Sequence, residues 1–226
     1  MAIIIRYRRK SYMKYQLVIF DMDGTILDTL TDLKNAINYA LTEHGFPERT
    51  LEEVRMFVGN GLSMLVTRAV PPTCSKEQMK AVSASFNAYY PVHCTENTRP
   101  YDGILDLIRD LRARGLKTAV VSNKPDYGVQ GLVEEFFPNC FDAAVGDRDG
   151  YQKKPAPDSV NEVLSRLQID RSRAVYVGDS DVDLETAKNA GMPCISVEWG
   201  FRSHEFLIEH GALTLVTKPQ QILDLL

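Results

Sequence analysis

Long apolar runs are missing from this sequence: nowhere does it reach the roughly 18 consecutive apolar residues that span a bilayer. Cysteines are few. Cys74, Cys94, Cys140 and Cys194 include no C-x-x-C pair, which excludes a disulfide scaffold and points to free thiols in a reducing compartment. His93 adjoins Cys94, but two neighbouring side chains do not make a four-ligand zinc site. There is no internal repeat and no low-complexity tract, so solenoid and disordered readings fall away. Positive charge is scarce beyond the start. Five basic residues and no acid lie in the first 14 positions, which leaves 21 basic against 30 acidic residues in the rest, a net −9. Such a body binds polyanions poorly, so nucleic acid is not an expected partner.

What is present is ordinary globular composition: 226 residues, 44% apolar and 25% charged. That length suits one large domain or a domain with an insert. At the N-terminus the apolar run Ala2–Ile5 precedes the basic run Arg6–Lys10, the reverse of a secretory signal. We expect a cytoplasmic protein without membrane association, a monomer or homodimer. Residues 1–13 read as an extension ahead of the body, and deleting residues 1–12 is expected to leave activity and stability intact.

The body changes its grammar twice. Gln16–Phe20 is a short apolar run ending abruptly in Asp21-Met22-Asp23-Gly24-Thr25, the pattern of a buried strand and turn. Helical spacing then takes over: Leu30, Leu33, Ile37 and Leu41, with Gly45 as a stop. Thr50 with Glu53 and Ser75 with Gln78 are capping boxes. They open helices carrying Val54, Phe57 and Val58 and, further on, Met79, Val82, Phe86 and Tyr89. Between them Leu62, Leu65, Val66 and Ala69 form another stripe, and Pro71 and Pro91 mark helix ends. Residues 28–90 therefore predict four helices and no strand.

From Asp102 onward strands alternate with helices. The expected strands are Thr118–Val121, Phe141–Val145, Ala174–Val177, Cys194–Val197 and Leu213–Val216. Alternation of this kind predicts an α/β fold with a parallel sheet covered on both faces. The chain divides into a core at 14–27 and 100–226 and a helical region at 28–99.

In such folds ligands bind beyond the carboxyl ends of the strands. Three predicted strands end there in polar residues: Asp21–Thr25, Ser122-Asn123-Lys124 and Gly178-Asp179-Ser180-Asp181-Val182-Asp183. Lys153-Lys154-Pro155 lies between the last two. Asp21, Asp23, Asp179 and Asp183 would crowd carboxylates into one crevice, and like charges that close repel. Mg²⁺ resolves the conflict, since it takes hard oxygen ligands and few direct carboxylates. Lys154 suits a phosphoryl oxygen, Ser122 adds a hydroxyl, and Gly24 lets backbone amides approach an oxyanion. This set fits phosphoryl transfer better than acyl transfer.

The D-x-D-G-T string at 21–25, the G-D-x-x-x-D string at 178–183, Ser122 and Lys154-Pro155, in this order, resemble the haloacid dehalogenase superfamily in its phosphoglycolate phosphatase-like branch. The resemblance covers nearly all of 14–226 and implies a Rossmann-like three-layer core with an inserted all-helical cap. It implies a Mg²⁺-dependent phosphatase of small phosphorylated metabolites, with phosphoglycolate the leading substrate. Asp21 would be the nucleophile and Asp23 the acid and base. Asp21, the Asp23 carbonyl and Asp179 would hold Mg²⁺, with Asp183 supporting it or binding through water. Gly24, Ser122, Asn123 and Lys154 would bind phosphate, with Lys154 preferred to Lys153. The Val58–Gly61 loop, through Asn60 and Gly61, resembles a substrate-specificity loop. Arg68 and Arg99 are further candidates for a substrate carboxylate, and Trp199 for the rim. A sugar phosphomutase and a non-catalytic phosphometabolite-binding module are the alternatives.

Overall fold

The computed structural model describes residues 14–226. The expectations about residues 1–13 lie outside the described residues. In chain order the elements begin with β1 (Leu17–Phe20) and β2 (Leu27–Asp28). Four helices follow, α1 (Leu30–Glu43), α2 (Leu51–Phe57), α3 (Leu62–Ala69) and α4 (Lys76–His93), and then β3 (Arg99–Pro100). The remainder alternates: α5 (Ile104–Ala113), β4 (Lys117–Pro125), α6 (Asp126–Phe136), β5 (Ala143–Asp147), α7 (Asp158–Leu167), β6 (Ala174–Gly178), α8 (Asp181–Asn189) and β7 (Cys194–Val197). The short helix α9 (His204–Glu209) and strand β8 (Leu215–Val216) come last, before a 3₁₀ turn at Pro219–Asp224.

Six strands form one parallel sheet in the order β5-β4-β1-β6-β7-β8. The central strand β1 is apolar at every position because both of its faces are covered. Val18 and Phe20 pack with Ile104, Leu107, Ile108 and Leu111 of α5 and with Val129 and Leu132 of α6. Leu17 and Ile19 pack on the other side with Val160, Val163 and Leu164 of α7 and Ala187 of α8. Side chains alternate across a strand, so a doubly covered strand loses the usual apolar–polar alternation. The result is a three-layer, Rossmann-like α/β fold.

Helices α1–α4 have a core of their own, built on Leu33, Ile37, Leu41, Val54, Leu65, Val66, Val82 and Phe86. Both capping boxes form. The helical region leaves and rejoins the sheet layer through the antiparallel pair β2–β3, in which Leu27 faces Pro100 and Asp28 faces Arg99. Buried Asp32 of α1 clamps the returning chain. Its carboxylate accepts from the Asn97 amide at 2.9 Å, Asn97 Nδ2 at 2.8 Å and the Thr98 amide at 2.8 Å.

Several sequence expectations need correction. Asp28 belongs to a strand, because the neck pairs it with Arg99. Pro91 does not end α4 but sits in its last turn, where a missing amide removes only one rung. The buried tyrosine of α4 is Tyr90, four residues after Phe86, while Tyr89 lies nearer the surface and stacks on Tyr39 with ring centroids 4.1 Å apart. Strand β5 starts at Ala143, two residues late, because Asp142 turns aside to bind Arg112, Lys117 and the Thr118 amide. The last strand starts at Leu215, and Leu213 is 96% exposed. Strand β4 runs past the expected end at Val121, through Ser122, Asn123 and Lys124 to Pro125.

Candidate active site

The carboxyl ends of β1, β4 and β6 converge on one cavity beneath the helical region, with Leu62 and Leu65 of α3 in its roof. After β1 the chain makes a compact turn in which the Met22 carbonyl accepts from the amides of Thr25, Ile26 and Leu27. That turn holds Asp21 at the strand end, its Oδ1 accepting from the Met22 amide at 2.7 Å. Gly24 has φ +87°, and a β-carbon there would collide with the Asp179 carboxylate. Only glycine combines that backbone angle with that clearance. The Gly24 amide is taken by the Leu27 carbonyl at 2.9 Å, so this glycine provides space for Asp179 rather than a free amide for an anion.

Lys154 is buried and bridges two carboxylates. Its Nζ lies 2.8 Å from Asp21 Oδ1 and 2.8 Å from Asp183 Oδ1, and it donates to the Tyr176 hydroxyl at 3.1 Å. Lys153 points elsewhere, 2.7 Å from Asp147. Asp179 accepts from Thr25 Oγ1 at 3.0 Å and from the Phe201 amide at 2.7 Å. Asp183 has both oxygens engaged: Oδ1 by Lys154 and Tyr176, Oδ2 by the Asp179 and Ser180 amides and the Ser180 hydroxyl at 2.6 Å. It therefore caps α8 and anchors Lys154 at once.

These groups strain against their burial. Asp21 is pushed well above the usual carboxylate range by desolvation and by the Asp183 charge, although Lys154 pulls the other way. Asp179 is pushed up to about 7, mainly by burial and then by Asp183. Burial pulls Lys154 down, but Asp183 and Asp21 outweigh it and hold the ammonium well above its ordinary value. One oxygen from each of Asp21, Asp179 and Asp183 can be chosen so that all three lie within 4.8 Å of one another. With Asp23, four carboxylates meet two buried lysines, Lys124 and Lys154. That surplus of negative charge fits a divalent cation on hard oxygen donors.

The β4 residues divide their work. Ser122 Oγ accepts from the Lys124 amide at 3.2 Å and borders the cavity. Asn123 Nδ2 donates to the Gly59 carbonyl at 3.1 Å and the Lys154 carbonyl at 3.0 Å, joining the loop of the helical region to the lysine's own backbone. Gly61 borders the cavity, whereas the Asn60 side chain turns away and accepts from Arg68 at 2.7 Å. Arg99 stands at the neck and is not among the cavity residues. Trp199 holds the Asp-bearing turn, its Nε1 donating to the Thr25 carbonyl at 3.0 Å.

Two participants escaped the sequence reading. Lys124 Nζ lies 3.1 Å from Asp23 Oδ1 and 2.7 Å from the Tyr90 hydroxyl. The signal was present, since Lys124 completes the strand-end string Ser-Asn-Lys. Arg202 is buried and donates to the Arg55 and Val58 carbonyls at 2.8 and 2.7 Å, tying the loop after β7 to the end of α2. Nothing local marks it, because a lone arginine after a strand is usually solvated.

A carboxylate held by a lysine, with a second carboxyl two residues away and a carboxylate cluster able to hold a cation beside it, suits phosphoryl transfer. Comparison with known proteins agrees. The family model for haloacid dehalogenase-like hydrolases matches residues 18–197. The chain is 32% identical to phosphoglycolate phosphatase of Pseudomonas putida over 92% of its own length and 76% of that protein. It is 30% identical to N-acetylmuramic acid 6-phosphate phosphatase of Pseudomonas aeruginosa, over 95% and 96%. A crystal structure from Lactobacillus delbrueckii subsp. bulgaricus, attributed to a phosphoglycolate phosphatase, superposes with a TM-score of 0.89 at 42% identity, covering 93% of this chain and 97% of that one. CbbY from Rhodobacter sphaeroides in complex with phosphate superposes at 0.74 with 25% identity, over 92% and 96%.

Proposed function

The chain belongs to the haloacid dehalogenase-like hydrolase family, and from that premise we propose that it is a Mg²⁺-dependent phosphatase of small phosphorylated metabolites, working through an aspartyl-phosphate. The observation that carries this reading is Asp21, bound at 2.8 Å to a lysine that also bridges Asp183, with Asp179 and Asp23 beside it. Residues 14–27 and 100–226 act as the catalytic core and residues 28–99 as a cap.

The carboxylates of Asp21 and Asp179 and the Asp23 carbonyl would hold Mg²⁺, with Asp183 supporting the site through Lys154 and the 179–180 amides. When bound, the ion would offset negative charge on the phosphoryl oxygens. Asp21 attacks phosphorus and forms the new P–O bond. As the ester P–O bond breaks, Asp23 gives its proton to the leaving oxygen. Asp23 then takes a proton from water, water oxygen attacks phosphorus, and the Asp21 carboxylate is released with inorganic phosphate. Ser122 and Lys154 hold phosphoryl oxygens throughout, and Asn123 keeps Lys154 in place. Gly61 and the apolar residues Leu62 and Leu65 form the wall that selects the substrate.

The cavity lies between the strand ends and the helical region, with Leu62 and Leu65 over it, and the cap closes over the bound ester. Phosphoglycolate is the substrate proposed, in keeping with the phosphoglycolate phosphatases among its relatives. The test is phosphate release from a panel containing both, with Mg²⁺ and with EDTA. Mg²⁺-dependent release, strongest with phosphoglycolate, is expected. Preference for the amino-sugar phosphate would overturn the substrate, and no release from any ester would overturn the phosphatase reading.

A further inference from the structure

The Asp23 carboxyl has its charged partner in Lys124, and the tip of that partner is held by the helical region. Lys124 Nζ pairs with Asp23 Oδ1 at 3.1 Å as an ion pair, and among the described residues no donor makes an aligned hydrogen bond to that buried oxygen. The ammonium therefore orients the carboxyl. Lys124 belongs to β4 of the core, its stem running past Gly128, where a β-carbon would approach it to 3.4 Å. Its tip meets Tyr90 of α4, donating to the hydroxyl at 2.7 Å and lying 4.8 Å from the ring centroid. Both side chains are buried, at 2% and 4% exposure.

The other polar ties from this corner of the core to the helical region end on backbone carbonyls: Asn123 on Gly59, and Arg202 on Arg55 and Val58. Tyr90–Lys124 differs because it continues into a reactive carboxyl. The cavity lies beneath the helical region, roofed by Leu62 and Leu65, the arrangement of a lid that opens for substrate entry and closes for the reaction. Tyr90 belongs to that region and meets Lys124 across the seam.

We propose that Tyr90 and Lys124 are positioning residues for Asp23: closure seats the Tyr90 hydroxyl on the Lys124 ammonium, which holds the Asp23 carboxyl toward the leaving oxygen. This rests on the reading of Asp23 as the proton donor. The ion pair engages Oδ1 and leaves Oδ2 for the transferred proton. As the ester bond breaks, its electron pair takes that proton, and Lys124 and Tyr90 keep theirs. Acid assistance is thereby confined to the closed enzyme, so an open site with bound water gains none.

The test compares two leaving groups. One is the alkyl phosphomonoester that the wild type hydrolyses best, phosphoglycolate first, whose alkoxide needs a proton. The other is 4-nitrophenyl phosphate, whose phenolate leaves without one. Tyr90→Phe keeps the ring and removes one hydroxyl. It should lower kcat about tenfold on the alkyl ester with KM within about twofold, and lower it only about twofold on the aryl ester. Lys124→Met should widen the gap to about a hundredfold against about fivefold. Equal losses on both esters, or a rise in KM alone, would overturn the positioning role and leave a packing role. Lys124→Met leaves a buried carboxyl unpaired and can fail to fold, in which case Tyr90→Phe decides alone. If the wild type releases phosphate from neither ester, the phosphatase reading fails and this one with it. If the wild type turns both over and Tyr90→Phe loses both equally, only the positioning role fails.

Discussion

Two buried lysines frame the cavity, and they are held in different ways. Lys154 finds all its partners in the core: Asp21, Asp183 and Tyr176. Lys124 finds Asp23 in the core and Tyr90 in the helical region. Both ammonium groups are held above their ordinary value against the opposing pull of burial, Lys154 by Asp183 and Asp21, Lys124 by Asp23 and Tyr90. The first cluster is assembled whenever the sheet is folded. The second is complete only when the two regions meet. On the proposed mechanism, the core alone preorganises the nucleophile and its lysine, while the acid's support is conditional on closure.

The largest loss is expected at the core cluster. Asp21→Asn should lower turnover by more than about 10³-fold, because an amide does not form the acyl phosphate. Its thermal midpoint should stay close to the wild type, since the variant removes a charge that burial already disfavours. Retained turnover would remove Asp21 from the nucleophile's place. Lys154→Met leaves Asp21 and Asp183 without their shared counterion and should cost about 3–5 kcal/mol of stability in urea unfolding. Its activity loss should be the same for alkyl and aryl esters. A leaving-group dependence like that expected for Lys124 would erase the distinction between the two lysines.

A third test uses pH. Asp179 holds its proton at about 7 in the folded protein against an ordinary value of 3.8. Between those values the folded state binds the extra proton. That stability is present in acid and is lost as pH rises through about 7 in metal-free protein. On the proposed reading Mg²⁺ would compete with this proton, so it should raise the thermal midpoint more at pH 8 than at pH 6. Asp179→Asn should flatten that difference and demand more Mg²⁺ for activity. An unchanged Mg²⁺ requirement would take Asp179 out of the cation site. The smallest effect is expected at the seam. Arg202→Met removes two donors to backbone carbonyls and should weaken kcat/KM about threefold for every ester alike. A selective loss on alkyl esters would place Arg202 with Tyr90 rather than with closure in general.

Legibility in the sequence followed the range of the interaction. The capping boxes at Thr50–Glu53 and Ser75–Gln78 are contained within four residues, and both form. The strand end at Asp21 and the glycine turn after it are also local signals. Tyr90 was not legible. Tyr89 and Tyr90 lie three and four residues beyond Phe86, and either suits a helical stripe; only packing against the core decides which one turns inward. Asn60 failed for a related reason. Its place in the loop was readable, but Arg68, eight residues on, takes its side chain.

The sequence alone determined the four-helix stretch, the later alternation of strands and helices, the apolar first strand, and the strand-end carboxylates with Lys154 between them. Those follow from apolar periodicity and from residue types whose burial needs a charged partner. The tertiary structure decided which charges meet: that Gly24 yields its space to Asp179, that Asp183 anchors Lys154, that Arg202 ties the seam, and that Tyr90 reaches Asp23 through Lys124. These contacts join positions 29 to 155 residues apart in the chain. Their energies depend on distance and burial in space, and a linear pattern of side chains carries neither.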